Sequence, residues 1–253
     1  MAEFRSFRAE SIVLKHQDWG EADRILTLFT REHGKLRVIA KGVRKIRSRR
    51  AGHLEPFTHV ALQLAKSKDL PIVTQAETIS SFSALREDLG AIGHASYAVE
   101  LLDKFTYPEG EHVALFNLIK NTFDRLTAGM APAALVLRFY EVRLLDLAGY
   151  RPELFACVVC GEKIKAEDQY FSAGQGGVVC PRSALGMAGL TPISVDALRF
   201  LRHFQRSSFM EATRARPSIE ADREMEVVMQ HYITYVLERG LNTPKFIRKV
   251  SRG

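Results

Sequence analysis

Hydrophobic and polar positions form five short β-like runs, Ser11 to Lys15, Arg24 to Thr30, Lys35 to Lys41, Thr58 to Ala65 and Ile72 to Thr78, of which the third and fourth alternate with a period of two. That period sends successive side chains to opposite faces of a strand. In the third run Leu36, Val38 and Ala40 share one face, and Lys35, Arg37 and Lys41 share the other. In the fourth, Val60, Leu62 and Leu64 oppose Ala61, Gln63 and Ala65. Gly20, Gly34, Gly42, Pro56 and Pro71 punctuate the connections. Five strands within residues 1–80 predict a small five-stranded barrel of the OB-fold kind, with an SH3-like barrel as the alternative of equal strand count.

From about Ser83 the period becomes helical. Ala98, Leu101, Leu102 and Phe105 mark one helix, and Val113, Phe116, Ile119, Phe123 and Leu126 a second. The segment Pro132 to Ala148 is apolar nearly all round, with Pro132 suited to a first turn and Gly149 to an end, and is expected to be the buried central helix of a bundle. Residues Arg151 to Gly189 break the helical pattern with three cysteines and a glycine-rich turn, as an inserted knuckle or ribbon would. Helical spacing returns over Ser194 to Phe204 and over Ile219 to Leu237, the latter ending near Gly240, and these helices are expected to pack on the earlier three. The polar stretch Arg206 to Ser218 reads as a loop. The predicted class is therefore α+β and multidomain: an OB-fold domain at 1–80, a helical domain at 81–150 and 190–253, and a zinc-ribbon-like insertion at 151–189.

Charge changes the picture. The chain of 253 residues carries a net +7, yet residues 31–50 alone hold nine cations, Arg31, Lys35, Arg37, Lys41, Arg44, Lys45, Arg47, Arg49 and Arg50, against one acid, Glu32. Positive charge is concentrated there, and a polyanion is the natural partner. Cations on a strand face prolonged by a basic loop would neutralise phosphates and release condensed counterions, which gives affinity without sequence information. Among aromatic candidates for base stacking, Phe29 and Phe57 read as core, whereas Trp19 sits in an expected turn between Asp18 and Gly20. His33 and His53 are expected at exposed loop positions, and Glu21 and Asp23 to cap a turn or pair with Arg24. No run of apolar residues is long enough to span a membrane and the first residues carry no secretory pattern, so a cytoplasmic, nucleoid-associated protein is expected.

Cys157-x2-Cys160, nineteen residues and then Cys180 match three corners of a four-thiolate zinc ribbon. The fourth corner is Ser183, a poor zinc ligand, so a bound zinc would need a distant donor such as His203, or a water. Without metal the ribbon would rest on Val158, Val159, Ile164, Phe171, Val178 and Val179. There is no glycine-rich phosphate loop, HExxH or GxSxG, and no clustered carboxylates, so no catalysis is expected.

Several collinear strings resemble the RecO family of bacterial DNA repair and recombination mediators. They are Ile12 to Lys15, Gly20 to Thr30, His33 to Arg44, Leu54 to Phe57 and Leu147 to Pro152 followed by the cysteine knuckle, and they span nearly the whole chain. The resemblance implies an N-terminal OB-fold, a helical domain interrupted by a zinc ribbon, and strand handling without turnover. It further implies binding to single- and double-stranded DNA, annealing of complementary strands, and work with RecR in loading RecA. The acidic tail of single-strand-binding protein is a further implied contact. Carried onto this chain, the DNA surface would be Lys35, Arg37, Lys41, Arg44, Lys45, Arg47, Arg49 and Arg50, flanked by Lys15 and Arg24. Ser183, where many relatives carry a fourth cysteine, puts the metal content in question rather than the DNA surface. The rival readings are an RNA-binding OB-fold factor and a structural adaptor with an inert barrel.

Overall fold

In a computed structural model of the chain, residues 6–107, 112–238, 243, 244 and 247 are described. Five strands come first: β1 (Ser6–Trp19), β2 (Asp23–Thr30), β3 (Gly34–Ala40), β4 (His59–Ala65) and β5 (Ile72–Ser80). They close into a barrel in the order β1-β2-β3-β5-β4, antiparallel except where Ile39 of β3 meets Ile72 of β5 in parallel. Closure depends on β1, because Ser6–Ile12 pairs with β4 while Ser11–Trp19 pairs with β2. Val13 faces Leu28 and Lys15 faces Thr27, so Leu14 is an extra residue, a bulge that bends the strand from one partner to the other. The run Ile12-Val13-Leu14 breaks the period of two for this reason, and all three residues are buried. β1 extends well beyond the expected Ser11 to Lys15 because polar residues such as Arg8 and Asp18 still pair through their backbone.

Ala9, Val13, Leu26, Leu28, Val38, Val60, Leu62, Leu64 and Val73 fill the barrel. Two helices follow, α1 (Leu89–Phe105) and α2 (Val113–Ala128). Asp88 starts α1 by accepting the Ala91 N–H at 2.9 Å. Along α2, Phe116, Ile119 and Phe123 fall on one face and are buried. The Phe116 ring lies 6.5 Å from Phe29 and 5.7 Å from His59, and Phe123 lies 5.8 Å from Phe57 and 5.6 Å from Phe82. Phe57 and Phe82 have φ of 71° and 46°, a left-handed backbone. That conformation costs about 1–2 kcal/mol per residue, and burial of both rings against Phe123 offsets it.

The chain divides into two compact units between Ala128 and Gly129. The sequence places a boundary near residue 81 because strands give way to helices there. Periodicity identifies a helix and its apolar face but not what that face meets, and α2 meets the barrel.

The second unit contains α3 (Ala133–Leu147), β6 (Gln169–Ser172), β7 (Gly177–Val179), α4 (Pro181–Ala184), β8 (Leu190–Ile193), α5 (Val195–Arg206), α6 (Phe209–Ala212) and α7 (Ile219–Val236). The strands form a small sheet in the order β7-β6-β8. α3 is the buried centre expected of it, packed by α5 and α7, and it buries even Arg138 and Glu141, which pair with each other. Of the three earlier helices, only α3 shares a compact unit with α5 and α7. The stretch read as a loop holds α6, started by a Ser208/Glu211 capping box. Gly240, the expected end of the last helix, lies outside the described residues. Among the described residues no helix is long and apolar enough to cross a membrane.

Phe123→Ala removes the ring that three segments share, and should destabilise the first unit by about 3–5 kcal/mol, read from urea unfolding monitored by far-UV circular dichroism.

Candidate nucleic-acid interface and cysteine cluster

The outward face of β1, β2 and β3 is built by register. Lys15, Thr27 and Arg37 lie in one cross-strand row, and Gln17, Ile25 and Ile39 in the next. All of these but Ile39, with Lys35, Asp103 and Asp69 to Pro71 before β5, line an open cleft of about 870 Å³. The other end of the face is covered: Phe29 lies beneath Phe116 of α2, and Lys35 meets α1. There the Lys35 Nζ donates to Asp103 Oδ1 and to its backbone carbonyl, both at 2.7 Å, while Lys15 Nζ donates to Asp103 Oδ2 at 2.9 Å. Burial would raise the Asp103 pKa, but hydrogen bonds from the two lysines outweigh it and hold the carboxyl below its ordinary 3.8.

The structure sorts the predicted cations into two groups. Lys35, Arg44 and Arg50 already have partners. Arg44 pairs with Asp18 at 3.2 Å and reaches the Gly20 and Glu21 carbonyls, which ties the basic loop to the β1–β2 turn. Arg50 donates to the carbonyls of Val73 and Lys41, and so closes the loop onto β5. Arg24, a suggested flank, is held between Asp18 and Glu55. In contrast, the side chains of Arg37, Lys41, Lys45, Arg47 and Arg49 are exposed and have no ion-pair or hydrogen-bond partner among the described residues. The loop is nevertheless fixed, because Asp23 accepts the Gly42 N–H at 2.7 Å and the Arg44 N–H reaches the Ala22 carbonyl at 2.9 Å. Asp23 thus caps a turn, one of its two expected roles. Gly42 has φ +66°, which a side chain would disfavour.

Phe29 and Phe57 are core residues, as expected, while Trp19 is 54% exposed beside the turn that Arg44 grips. His33 is exposed at the edge of the Phe7 ring, whereas His53 is half-buried and bonded to Thr78. Sequence reasoning missed two features. Ile46 stands fully exposed between Lys45 and Arg47. Asp103 was invisible because its neutralising contact joins residues 68 positions apart.

In the second unit the three thiols converge, every Sγ within 4.8 Å of the others and Cys160 to Cys180 at 3.8 Å. Four ligands tetrahedral about an ion at about 2.3 Å have edges of about 3.8 Å, so the sulfurs fit three corners of such a site. Ser183 Oγ lies 3.3 Å from Cys180 Sγ and also hydrogen-bonds the Cys160 thiol, so it stands beside the cluster. His203 does not join them: its ring bonds Ser207 and the Glu211 carbonyl, and the potential ligand group among the described residues holds only cysteines. Burial pushes the Cys157 thiol up, but backbone N–H groups of Cys160, Cys180 and Val159 more than offset this and bring it to about 6. The Cys160 thiol is lowered by the Ser183 hydroxyl and the Glu162 N–H.

The knuckle is seated by backbone contacts as well as apolar ones. Val158 N–H reaches the Val178 carbonyl at 2.9 Å, and a Cβ on Gly177 would come within 2.5 Å of the Glu153 carbonyl, so only glycine fits there. Of the apolar residues expected to hold this region, Ile164, Phe171, Val178 and Val179 are buried, but Val159 is exposed.

The N-terminal family model "Recombination protein O N terminal" matches residues 1–82, and "Recombination protein O C terminal" matches residues 86–245. A protein of Roseiflexus sp. (strain RS-1) named DNA repair protein RecO is 40% identical over 97% of this chain and 86% of its own length. Proteins of the same name from Dehalococcoides mccartyi (strain CBDB1) and Heliobacterium modesticaldum are 36% and 38% identical, covering 94% and 98% of this chain and 94% and 91% of their own.

Because its pKa is depressed in the folded state, Asp103 contributes stability that is present above the unfolded carboxyl's pKa and is lost as pH falls through the folded value. Wild type should therefore lose more stability than Asp103→Asn between about pH 5 and pH 2 in urea titrations, the two curves converging in acid.

Proposed function

This chain belongs to the recombination protein O family and has a role in DNA repair, and we propose that it acts there as a DNA-binding recombination mediator without catalytic turnover. It binds single- and double-stranded DNA through the cleft face and the basic loop, anneals complementary strands, and assists RecA loading together with RecR and the single-strand-binding protein tail. The observation that carries this reading is the set of exposed, unpartnered cations Arg37, Lys41, Lys45, Arg47 and Arg49, gathered on one barrel face and the loop that continues it. The strand order, with β3 parallel to β5, supports an OB-fold rather than an SH3-like barrel. In OB-folds the face of strands 2 and 3 takes the nucleic acid, which is where Arg37 and the open cleft lie.

Each role follows from charge. A cationic surface screens two phosphate backbones from one another, which annealing requires, and non-specific contacts let strands slide into register. Lys35 and Lys15 serve differently from the loop cations: a strand phosphate reaching them competes with the Asp103 carboxylate. Arg44 and Arg50 shape the loop that carries the others.

The cysteine cluster takes zinc in this reading, as a zinc-ribbon-like element. Cys157, Cys160 and Cys180 supply three thiolates and the corner facing Ser183 takes a water or the serine itself. The metal would serve folding of the ribbon rather than contact with DNA.

With about six phosphates neutralised on a single strand, the log–log salt slope should be roughly −4, from about 0.7 per phosphate. Lys41→Glu, Lys45→Glu and Arg47→Glu together should abolish binding and annealing with little change in unfolding midpoint. Arg50→Ala, by contrast, should lower the midpoint through loss of its two carbonyl contacts. Binding by the triple variant equal to wild type would remove the basis for the reading, and a marked preference for RNA over matched DNA would favour an RNA-binding factor. Metal analysis of purified protein should give one zinc per chain, lost in Cys157→Ser; metal-free protein with an unchanged midpoint would reject the site.

A further inference from the structure

Between residues 196 and 217 the chain carries five arginines, Arg199, Arg202, Arg206, Arg214 and Arg216, against two acids, Asp196 and Glu211, and no lysine. On α5 the first three recur at spacings of three and four and share one face with His203, while Leu198, Leu201 and Phe204 are buried on the other. Two aromatic rings are interleaved with this stripe. The Phe155 ring carries two guanidiniums, Arg206 at 3.6 Å and Arg202 at 5.3 Å from its centroid, and Arg199 lies 5.5 Å from the Phe200 centroid.

The cluster is under-compensated where it is most crowded. Arg202 donates through Nε to the Leu154 carbonyl at 2.7 Å, but its buried Nη2 has no partner among the described residues. Burial and the neighbouring Arg206 charge both lower the Arg202 pKa, the direction expected when like charges are held together. Of the nearby carboxylates, Asp196 pairs with Arg199 at 3.3 Å in an exposed contact, whereas Glu153 accepts the Phe155 and Ala156 N–H groups and Glu211 closes the capping box with Ser208. Beside the stripe, Arg199, Phe200, His203 and Arg214 border an open pocket of about 460 Å³.

We propose that the arginine face of α5, with Arg214 and the Phe155 and Phe200 rings, is a second binding surface for a single nucleic-acid strand, separate from the barrel site. Arginine forks pair with phosphate oxygens two at a time, and bases can stack on the Phe200 ring or on the Arg206 guanidinium plane that the Phe155 ring backs. Arg199 and Arg206 are two helical turns apart, about 10.5 Å, close to the axial rise of three phosphates at about 3.4 Å each. An acidic peptide would use the guanidiniums but has no use for the rings. The inference rests on the barrel's reading as a nucleic-acid site and gives it a counterpart: a chain that anneals strands has one cationic surface for each.

The test is stoichiometric titration of the full chain with short labelled oligothymidylates, each long enough for one surface. Wild type should bind two per chain. Arg199→Glu with Arg214→Glu, both exposed positions, should retain one strand and lose the other by at least tenfold, with the salt slope of the lost event reduced by roughly 1.4, about 0.7 for each phosphate contact. The milder Arg199→Gln with Arg214→Gln pair, checked for an unchanged unfolding midpoint, guards against a folding defect. The loop triple variant should lose the complementary event. One strand per wild-type chain, lost only in the loop variant, overturns this inference and leaves the barrel reading intact. Two strands retained in both α5 variants, or a polyglutamate peptide that binds this face while strand binding is unchanged, also overturns it. A wild type that binds no strand overturns both.

Discussion

The contact of Asp103 with Lys15 and Lys35 decides how much of the barrel's outer face is open. One half-buried carboxylate takes an ion pair from each of two strands, and Lys35 also holds the carbonyl of the same residue, so the end of α1 is fastened over one end of the face. Phe116 and Phe123 of α2 complete the cover with apolar area. Neither kind of contact extends to Arg37, Gln17 or Ile25, which line the open cleft. An exposed ion pair would contribute little, but a partly buried pair with two donors and a fixed backbone resists exchange with solvent. A backbone phosphate competes for the same lysines on equal terms, because a phosphodiester offers them one negative charge on two oxygens as the carboxylate does, and a strand repeats that offer along its length.

The same competition orders the remaining cations. A guanidinium whose donors are satisfied by carbonyls, as in Arg50, is structural whatever its charge, and one balanced by Asp18, as in Arg44, is partly so. The loop exploits this division: two arginines hold its ends while Lys41, Lys45, Arg47 and Arg49 project. Membership of the RecO family gives the chain a role in DNA repair, and in the reading proposed above DNA is the polyanion that this surface meets. The cysteine knuckle is placed in a similar way, with backbone N–H groups and the close approach at Gly177 bringing the three thiols together beside Ser183.

Much of this was legible in the residues. Apolar-rich runs punctuated by glycine and proline located all five strands, and the alternation at 35–41 put Arg37 and Lys41 outside. Charge density located the loop. Pairing was not legible, since whether Lys35 or Arg50 is free depends on Asp103 and Val73, residues distant in sequence. The early ends of β1 were hidden because ladder hydrogen bonds need no apolar side chain. The grouping of α1 and α2 with the barrel was hidden because a helical stripe does not name its partner. The α5 stripe did have a signal, arginine at spacings of three and four over 199–206, but it was masked by reading that helix for its apolar positions alone. His203 looked available to a metal by residue type, and geometry gave it to Ser207 instead.

Lysine acetylation footprinting with and without a single-stranded oligonucleotide, read residue by residue by mass spectrometry, addresses the central claim most directly. Lys41 and Lys45 should be strongly protected at low salt and regain reactivity as salt is raised, while Lys163 and Lys165 in the second unit react equally in both states. Equal reactivity of Lys41 and Lys45 with and without a bound strand would contradict the claim that the unpartnered cations of the barrel loop meet the phosphate backbone.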